Sequence, residues 1–323
     1  MTHNLISHLK KAQNILITSH AKPDGDAIGS SIALGLALKQ LNKYVTIYNK
    51  SKINQKYYTI LPSSGLIKKN IENYDNYDTA IFLDCGRINM AGNAGEKISK
   101  IGAVINIDHH KTNTGYGNFQ YIDPNAASTT EMVYRLISEM KTPLNKEMAD
   151  AIYLGILTDT GSFRYSNTNK KTYEICADLM KFEVSPFLIA QAVYGSYSIN
   201  RIKLLNVALD TIELFEDGQI AIMTLTSEML KKTGASHEDT TGLLDYAVNI
   251  KQVKIAALIK EYSIEAETED NTYKYSVSLR SNGHIDVSAI ASTFDGGGHP
   301  SASGFLINSE LLELKTKLSK LLK

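Results

Sequence analysis

The chain has 323 residues, 43% of them hydrophobic and 21% charged, and its 34 basic side chains balance 34 acidic ones. That length exceeds one ordinary core and predicts two domains, while no apolar run reaches the roughly 18 residues that a membrane span needs. Zero net charge argues against a partner such as long duplex nucleic acid, because affinity there scales with the number of phosphates neutralised.

The polar, amphipathic start Met1 to Lys11 lacks the apolar core of a signal peptide. Ile15-Leu-Ile-Thr-Ser19 is the first predicted strand, Gly29 to Leu41 the first helix, and Tyr44 to Tyr48 the next strand. Ala80-Ile-Phe-Leu83 and Ala103-Val-Ile-Asn-Ile107 follow. The runs at 15, 80 and 103 are short, rich in β-branched residues and not alternating, as expected of parallel strands covered on both faces. Ser128-Thr-Thr-Glu131 has the capping-box pattern and opens a helix through Ile137; Lys146 to Leu157 is another, delivering Thr158-Asp159-Thr-Gly161 at its end. Strands alternating with helices over residues 1–185 predict a doubly wound, mostly parallel α/β sheet.

Residues 186–215 read as a helical connector. A smaller α/β unit over 216–323 has predicted strands at Gln219–Leu225, Val253–Ile259 and Tyr273–Arg280. Helices are predicted at Asp239–Val248, Ile285–Thr293 and Ser309–Leu322. Tyr273, Tyr275, Val277 and Leu279 share one face of the third strand, and Arg280 ends the other. Ala266-Glu-Thr-Glu-Asp-Asn271 reads as a hairpin loop.

Four segments place carboxylates or histidines where an apolar run ends: His20-Ala-Lys-Pro-Asp24-Gly-Asp26, Asp84, Asp108-His109-His110 and Asp159. Singly, each has a structural explanation. Asp24 and Asp26 around Gly25 suit a tight turn, and Asp84 or Asp108 could cap a following helix. Together they converge on the carboxyl ends of the strands, where open α/β sheets bind ligands. Gathered carboxylates repel one another unless a cation neutralises them. Imidazole with carboxylate and no thiolate suits Mn2+ or Mg2+ better than a closed zinc site. Cys85 alternates away from Asp84 and reads as a packing residue, as does Cys176 in its helical run. Two cysteines without a framework predict a reduced, cytoplasmic protein.

In the C-terminal half, Asp295-Gly-Gly-Gly-His299-Pro-Ser-Ala-Ser-Gly304 reads as a ligand loop. Gly296, Gly297 and Gly298 would let backbone N–H groups approach an anion. His299, Ser301 and Ser303 would add side-chain donors, and Arg280 would hold a phosphate bidentately.

These motifs together resemble the DHH–DHHA1 phosphoesterase family, and specifically its compact nano-RNase/pAp phosphatase branch, over nearly the whole chain. The resemblance implies a catalytic DHH domain and a DHHA1 substrate-binding domain facing it across a cleft. It further implies two Mn2+ ions, with Mg2+ or another divalent ion as substitutes. His20, Asp24 and Asp84 would hold one ion, and Asp26, Asp84, His109 and Asp159 the other, with Asp84 bridging. His110 would sit near the scissile phosphate, and Asp108 would orient an imidazole. Arg280, the glycines and His299 would hold the rest of the nucleotide. The family often has Gly after the helix that follows the fourth motif, where this chain has Phe182-Glu183-Val184.

The expected activity is two-metal hydrolysis of very short single-stranded RNA to mononucleotides, together with hydrolysis of 3'-phosphoadenosine 5'-phosphate (pAp) to AMP. The alternative is a cyclic di-AMP or pApA phosphodiesterase, which shares every catalytic residue. A manganese-dependent pyrophosphatase lacks the glycine–histidine loop. A RecJ-type exonuclease on long strands conflicts with the zero net charge, and an inactive nucleotide-binding regulator would lack ligands that are all present here. No membrane partner is expected, and the sequence leaves a homodimer open.

Overall fold

In the computed structural model, which describes residues 2–195, 197–262, 273–283 and 285–322, the apolar runs of the N-terminal half lie side by side as parallel strands. The chain forms two units, Met1–Ser196 and Tyr197–Lys323.

The strands of the first unit are β1 (Asn14–Ser19), β2 (Tyr44–Tyr48), β3 (Ile67–Lys68), β4 (Thr79–Leu83), β5 (Ala103–Asp108) and β6 (Phe119–Ile122). Its helices are α1 (Thr2–Lys11), α2 (Gly25–Gln40), α3 (Gln55–Ile60), α4 (Gly95–Ile98), α5 (Thr129–Glu139), α6 (Lys146–Asp159), α7 (Lys170–Leu179) and α8 (Pro186–Tyr194). The sheet order is β3-β2-β1-β4-β5-β6, and every pairing is parallel. Leu16, Phe82 and Val104 pack on one face with Cys85, whereas Ile17, Ile81 and Ile105 pack on the other with Ile32 of α2 and Ile152 of α6. Burial on both faces is why these runs do not alternate. β3 and β6 are additions to the sequence reading. β3 has only two residues, and β6 is a half-buried edge strand, so neither carries an apolar run.

The order reverses between β1 and β4, and ligands bind at such a switch point. His20 follows β1 there and Asp84 follows β4. Asp84 takes up the left-handed conformation (φ 54°), and its N–H extends the ladder to Ile107 O at 3.1 Å. Helix α2 begins at Gly25, earlier than the expected Gly29, because the Asp24 carboxylate caps it by accepting from the N–H groups of Asp26 and Ala27. At α5, Ser128 Oγ accepts from Glu131 N–H, but Glu131 Oε2 reaches Ala127 N–H, one residue before the capping-box position. Helix α6 runs through Asp159 itself.

The second unit holds α9 (Ile199–Leu209), β7 (Glu213–Phe215), β8 (Ile220–Leu225), α10 (Ser227–Thr233), α11 (Leu244–Val248), β9 (Ile255–Glu261), β10 (Tyr275–Ser281), α12 (Val287–Ser292), β11 (Gly297–His299), β12 (Ala302–Ile307) and α13 (Leu311–Leu318). Its sheet order is β11-β12-β10-β9-β8-β7, with only β8 and β9 parallel. Ile222, Ala257, Val277, Leu279 and Phe305 form its core with Leu314 of α13.

Three sequence expectations are corrected here. The stretch Pro186–Phe215 is not helical throughout: it holds α8 and α9 and then β7, which turns through Glu216, Asp217 and Gly218, all at positive φ, to pair with β8. The expected helix Asp239–Val248 is broken, because Gly242 adopts φ +78° between a 3₁₀ turn at His237–Thr240 and α11. The glycine–histidine segment is an antiparallel hairpin of β11 and β12 rather than a loop. The hairpin loop expected at Ala266–Asn271 lies outside the described residues. Among the described residues, no helix is long and apolar enough to cross a membrane.

Candidate metal centre

The side chains at the switch point converge on Asp84. Its Oδ2 lies 3.4 Å from His20 Nε2 and its Oδ1 lies 3.6 Å from His109 Nε2. Each of these rings contacts a main-chain carbonyl through Nδ1, His20 with Ala21 O at 2.8 Å and His109 with Ala126 O at 3.2 Å. A carbonyl only accepts, so Nδ1 carries a proton and Nε2 is the ring atom turned towards the carboxylates. His20 Nε2 is also 3.8 Å from Asp24 Oδ1, while His109 Nε2 is 3.3 Å from Asp159 Oδ2 and 3.9 Å from Asp26 Oδ2. Two sets result: His20, Asp24 and Asp84, and Asp26, His109 and Asp159, with the ligand atoms within each set no more than 4.8 Å apart.

His110 occupies a different position. Its Nδ1 donates to Asp108 Oδ1 at 2.7 Å and lies 3.6 Å from Asp84 Oδ1. Asp108 is the last residue of β5, is fully buried, and takes Asn113 Nδ2 on its other oxygen. It therefore orients His110 rather than capping a helix. Burial disfavours the charged form of this ring, but the Asp108 hydrogen bond and the charge of Asp84 outweigh it and raise its pKa.

Two of the carboxylates are held at an electrostatic disadvantage, whereas, against the effect of burial, His20 holds Asp24, and His20 with His110 and His109 holds Asp84, below the usual carboxylate range. Burial, followed by the charge of Asp84, pushes the Asp26 carboxyl up to about 7. Burial, followed by Asp26 and Asp84, pushes Asp159 well above the usual carboxylate range. Asp159 Oδ2 is buried and has no hydrogen-bond partner among the described residues. A divalent cation relieves these strains together, since it neutralises the repulsion and takes up the unsatisfied oxygen. Imidazole and carboxylate donors at these separations fit such an ion.

Several residues that support this arrangement are absent from the sequence reading. Thr129 N–H and Thr130 N–H donate to the two oxygens of Asp26, and Thr129 Oγ1 donates to Asp84 Oδ1. Asn49 Nδ2 donates to His20 O, and Asn167 Nδ2 to both Asp159 O and Ala127 O. The capping pattern at Ser128 was the available signal for Thr129 and Thr130. The two asparagines left none.

In the second unit, Arg280 pairs in register with Ala302, and Ala302 with His299. Residues directly opposite across a ladder share a face, so Arg280 and His299 project from the same side. The three glycines differ. Gly298 has φ +140°, and a Cβ there would stand 2.5 Å from Ala302 O; a Cβ on Gly297 would meet nothing within 4 Å. Gly296 precedes this hairpin, and Ser301 lies in its turn. Ser303, expected to offer a hydroxyl to a ligand, is buried and donates to Val287 O at 2.6 Å.

Residues 14–156 match the DHH family, N-terminal domain, and residues 217–323 match the DHHA1 domain. The chain is 27% identical over 314 residues to the bifunctional oligoribonuclease and PAP phosphatase NrnA of Bacillus subtilis, covering 96% of this chain and 94% of that one. It is 30% identical over 307 residues to the Thermus thermophilus protein of the same name, covering 93% and 86%. Its fold matches the crystal structure of an exopolyphosphatase-related protein from Bacteroides fragilis with a TM-score of 0.88 at 28% identity, over 99% and 95% of the two chains. With Asp108-His109-His110 at the switch point and full-length relatives on both measures, the chain belongs to the DHH family and is a hydrolase acting on phosphoric ester bonds.

Proposed function

We propose that this protein hydrolyses very short RNA to mononucleotides and pAp to AMP, using two divalent cations, Mn2+ or Mg2+. His20, Asp24 and Asp84 would hold one ion, and Asp26, Asp84, His109 and Asp159 the other. The observation that carries this reading is Asp84, whose two oxygens face two different histidines, as a carboxylate shared between two ions requires. Bound metal supplies an activated water and neutralises charge on the phosphoryl oxygens. Asp108 holds His110 through Nδ1, and Nε2 would contact a phosphoryl oxygen or the leaving group. Arg280, Gly296, Gly297, Gly298, His299 and Ser301 form the recognition surface for the phosphate or nucleotide remote from the cut. The names of the Bacillus and Thermus relatives support these substrates. The free, buried Cys85 and Cys176 suit a cytoplasmic setting.

The test is turnover with Mn2+ on an RNA dimer, a pentamer, an oligomer of about 24 nucleotides, pAp, pApA and pyrophosphate. Dimer, pentamer and pAp are turned over, and the rate per end falls steeply from the pentamer to the longest strand. Equal rates on both lengths contradict the short-substrate reading. Turnover of pApA alone moves the assignment to cyclic dinucleotide breakdown.

A further inference from the structure

Charge is unevenly distributed along the first unit. No Asp or Glu occurs between Asp26 and Glu72, a stretch that carries seven lysines, although acidic and basic side chains balance over the whole chain. Four of those lysines stand at the carboxyl edge of the sheet, the edge that carries the metal centre: Lys50 and Lys52 follow β2, Lys68 ends β3 and Lys69 comes next. All four are exposed, and none forms an ion pair among the described residues.

Hydrogen bonds fasten this edge to the metal-ligand segment. Asn49 Nδ2 donates to His20 O at 2.9 Å, and the Lys22 N–H donates to Ser51 Oγ at 2.8 Å. Lys50 and Lys52 therefore lie beside the turn that presents His20 and Asp24. The Asn49 N–H donates in turn to Lys68 O at 3.0 Å, which brings Lys68 and Lys69 next to Lys50. Neighbouring strands stand about 4.8 Å apart, so the way from β1 across β2 to β3 covers about 10 Å. A stacked strand carries one phosphate per about 3.4 Å, so this length spans about three nucleotides. Lysine ammonium groups hold phosphates as point charges and read no base. Past Lys69, the exposed Glu72 restores negative charge and closes the basic run.

We propose that Lys50, Lys52, Lys68 and Lys69 form a track for the backbone phosphates of RNA longer than a dinucleotide, leading away from the metal centre over the β2–β3 edge. This rests on the short-RNA reading given above and deepens it: the track engages a few nucleotides without regard to sequence and then ends.

The test is fluorescence anisotropy of the Mn2+-loaded full chain with a labelled RNA pentamer whose terminal linkages are non-hydrolysable methylenephosphonates, together with KM for the ordinary dimer and pentamer. The four lysines are exposed, so their substitution leaves folding intact. Lys50→Ser combined with Lys52→Ser weakens pentamer binding by about 10–25-fold at about 0.1 M salt and lowers the salt slope by about 1.4, the value of two lost phosphate contacts. Lys68→Ser combined with Lys69→Ser also weakens it, and in both variants KM rises more for the pentamer than for the dimer. Neutral methylphosphonates at the internal linkages of the pentamer weaken native binding and erase the difference between native and variant. Lys10→Ser combined with Lys11→Ser, an equal change of charge at the end of α1 near the amino ends of the strands, leaves pentamer binding unchanged. Anisotropy needs no turnover, so a protein that binds the pentamer through these lysines yet cuts none of the proposed substrates keeps the track and refutes the hydrolytic reading. Absence of pentamer binding overturns the proposal, as does undiminished binding in both track variants, an equal loss in the Lys10 and Lys11 variant, or a loss that persists on the neutral pentamer.

Discussion

Asp26 and Thr130, 104 residues apart in sequence, are joined by a 2.8 Å hydrogen bond in which the Thr130 N–H donates to Asp26 Oδ1. Thr129 N–H holds Oδ2 at 2.7 Å, so the N-terminus of α5 grips both oxygens of a fully buried carboxylate. Charge-assisted bonds at a helix N-terminus are favourable, and here they also aim the carboxylate at His109.

That grip depends on Gly155 of α6. A Cβ there would stand 2.3 Å from Thr130 Cγ2 and 2.8 Å from Asp26 Oδ1. In an exposed helix, Gly→Ala stabilises by up to about 1 kcal/mol; here the overpacking penalty of about 1–3 kcal/mol outweighs that gain. Gly155→Ala therefore lowers Tm and weakens Mn2+ binding by about 10–100-fold, the range for disturbed ligand-supporting contacts. Calorimetry with and without Mn2+ checks both effects. An unchanged or higher Tm would show that the helices part more easily than this packing implies.

Asp84 faces both histidine clusters, whereas His20 faces one. Asp84→Ala is expected to cost on the order of 10³-fold in turnover, equivalent to the several kcal/mol that bound metal supplies. His20→Ala loses less and recovers in part with excess Mn2+. Exhaustive chelation abolishes turnover of the native protein, and re-addition of Mn2+ restores it. Full activity in the chelated protein would refute the metal assignment.

The hairpin glycines separate folding from recognition. Gly298→Ala meets both a positive φ and a backbone oxygen, so it destabilises by roughly 2–3 kcal/mol. Gly297→Ala meets no neighbour, so it leaves Tm within about 1–2 °C while raising KM for dinucleotides and pAp. If Gly297→Ala alters neither KM nor Tm, that position does not contact substrate.

Glu183 is exposed and adopts the left-handed conformation (φ 59°) at the end of the short helical turn Met180–Phe182, where the resembled family often has Gly. An L-residue there is strained by about 1–2 kcal/mol, partly offset by the greater unfolded-state entropy of glycine. Glu183→Gly thus stabilises by about 0.5–1 kcal/mol, a Tm rise of about 1–4 °C, with turnover unchanged. Thermal unfolding checks it, and a fall in Tm would show that Glu183 makes a compensating contact.

Sequence by itself determined the parallel, doubly covered character of β1, β4 and β5, because burial on both faces leaves a local record in uninterrupted β-branched runs. It also marked His20, Asp84 and Asp108-His109-His110, which stand where those runs stop and which the fold brings together. Tertiary structure alone decided what holds these groups. The bonds from Thr129 and Thr130 to Asp26, and from Asn167 to Asp159, join distant parts of the chain, and no periodicity marks a polar residue that will bond far away. The same holds for the hairpin of β11 and β12. Three glycines read locally as a loop, but pairing with β12 puts Gly297 and Gly298 in an edge strand and gives them different surroundings, because register is a property of two strands together.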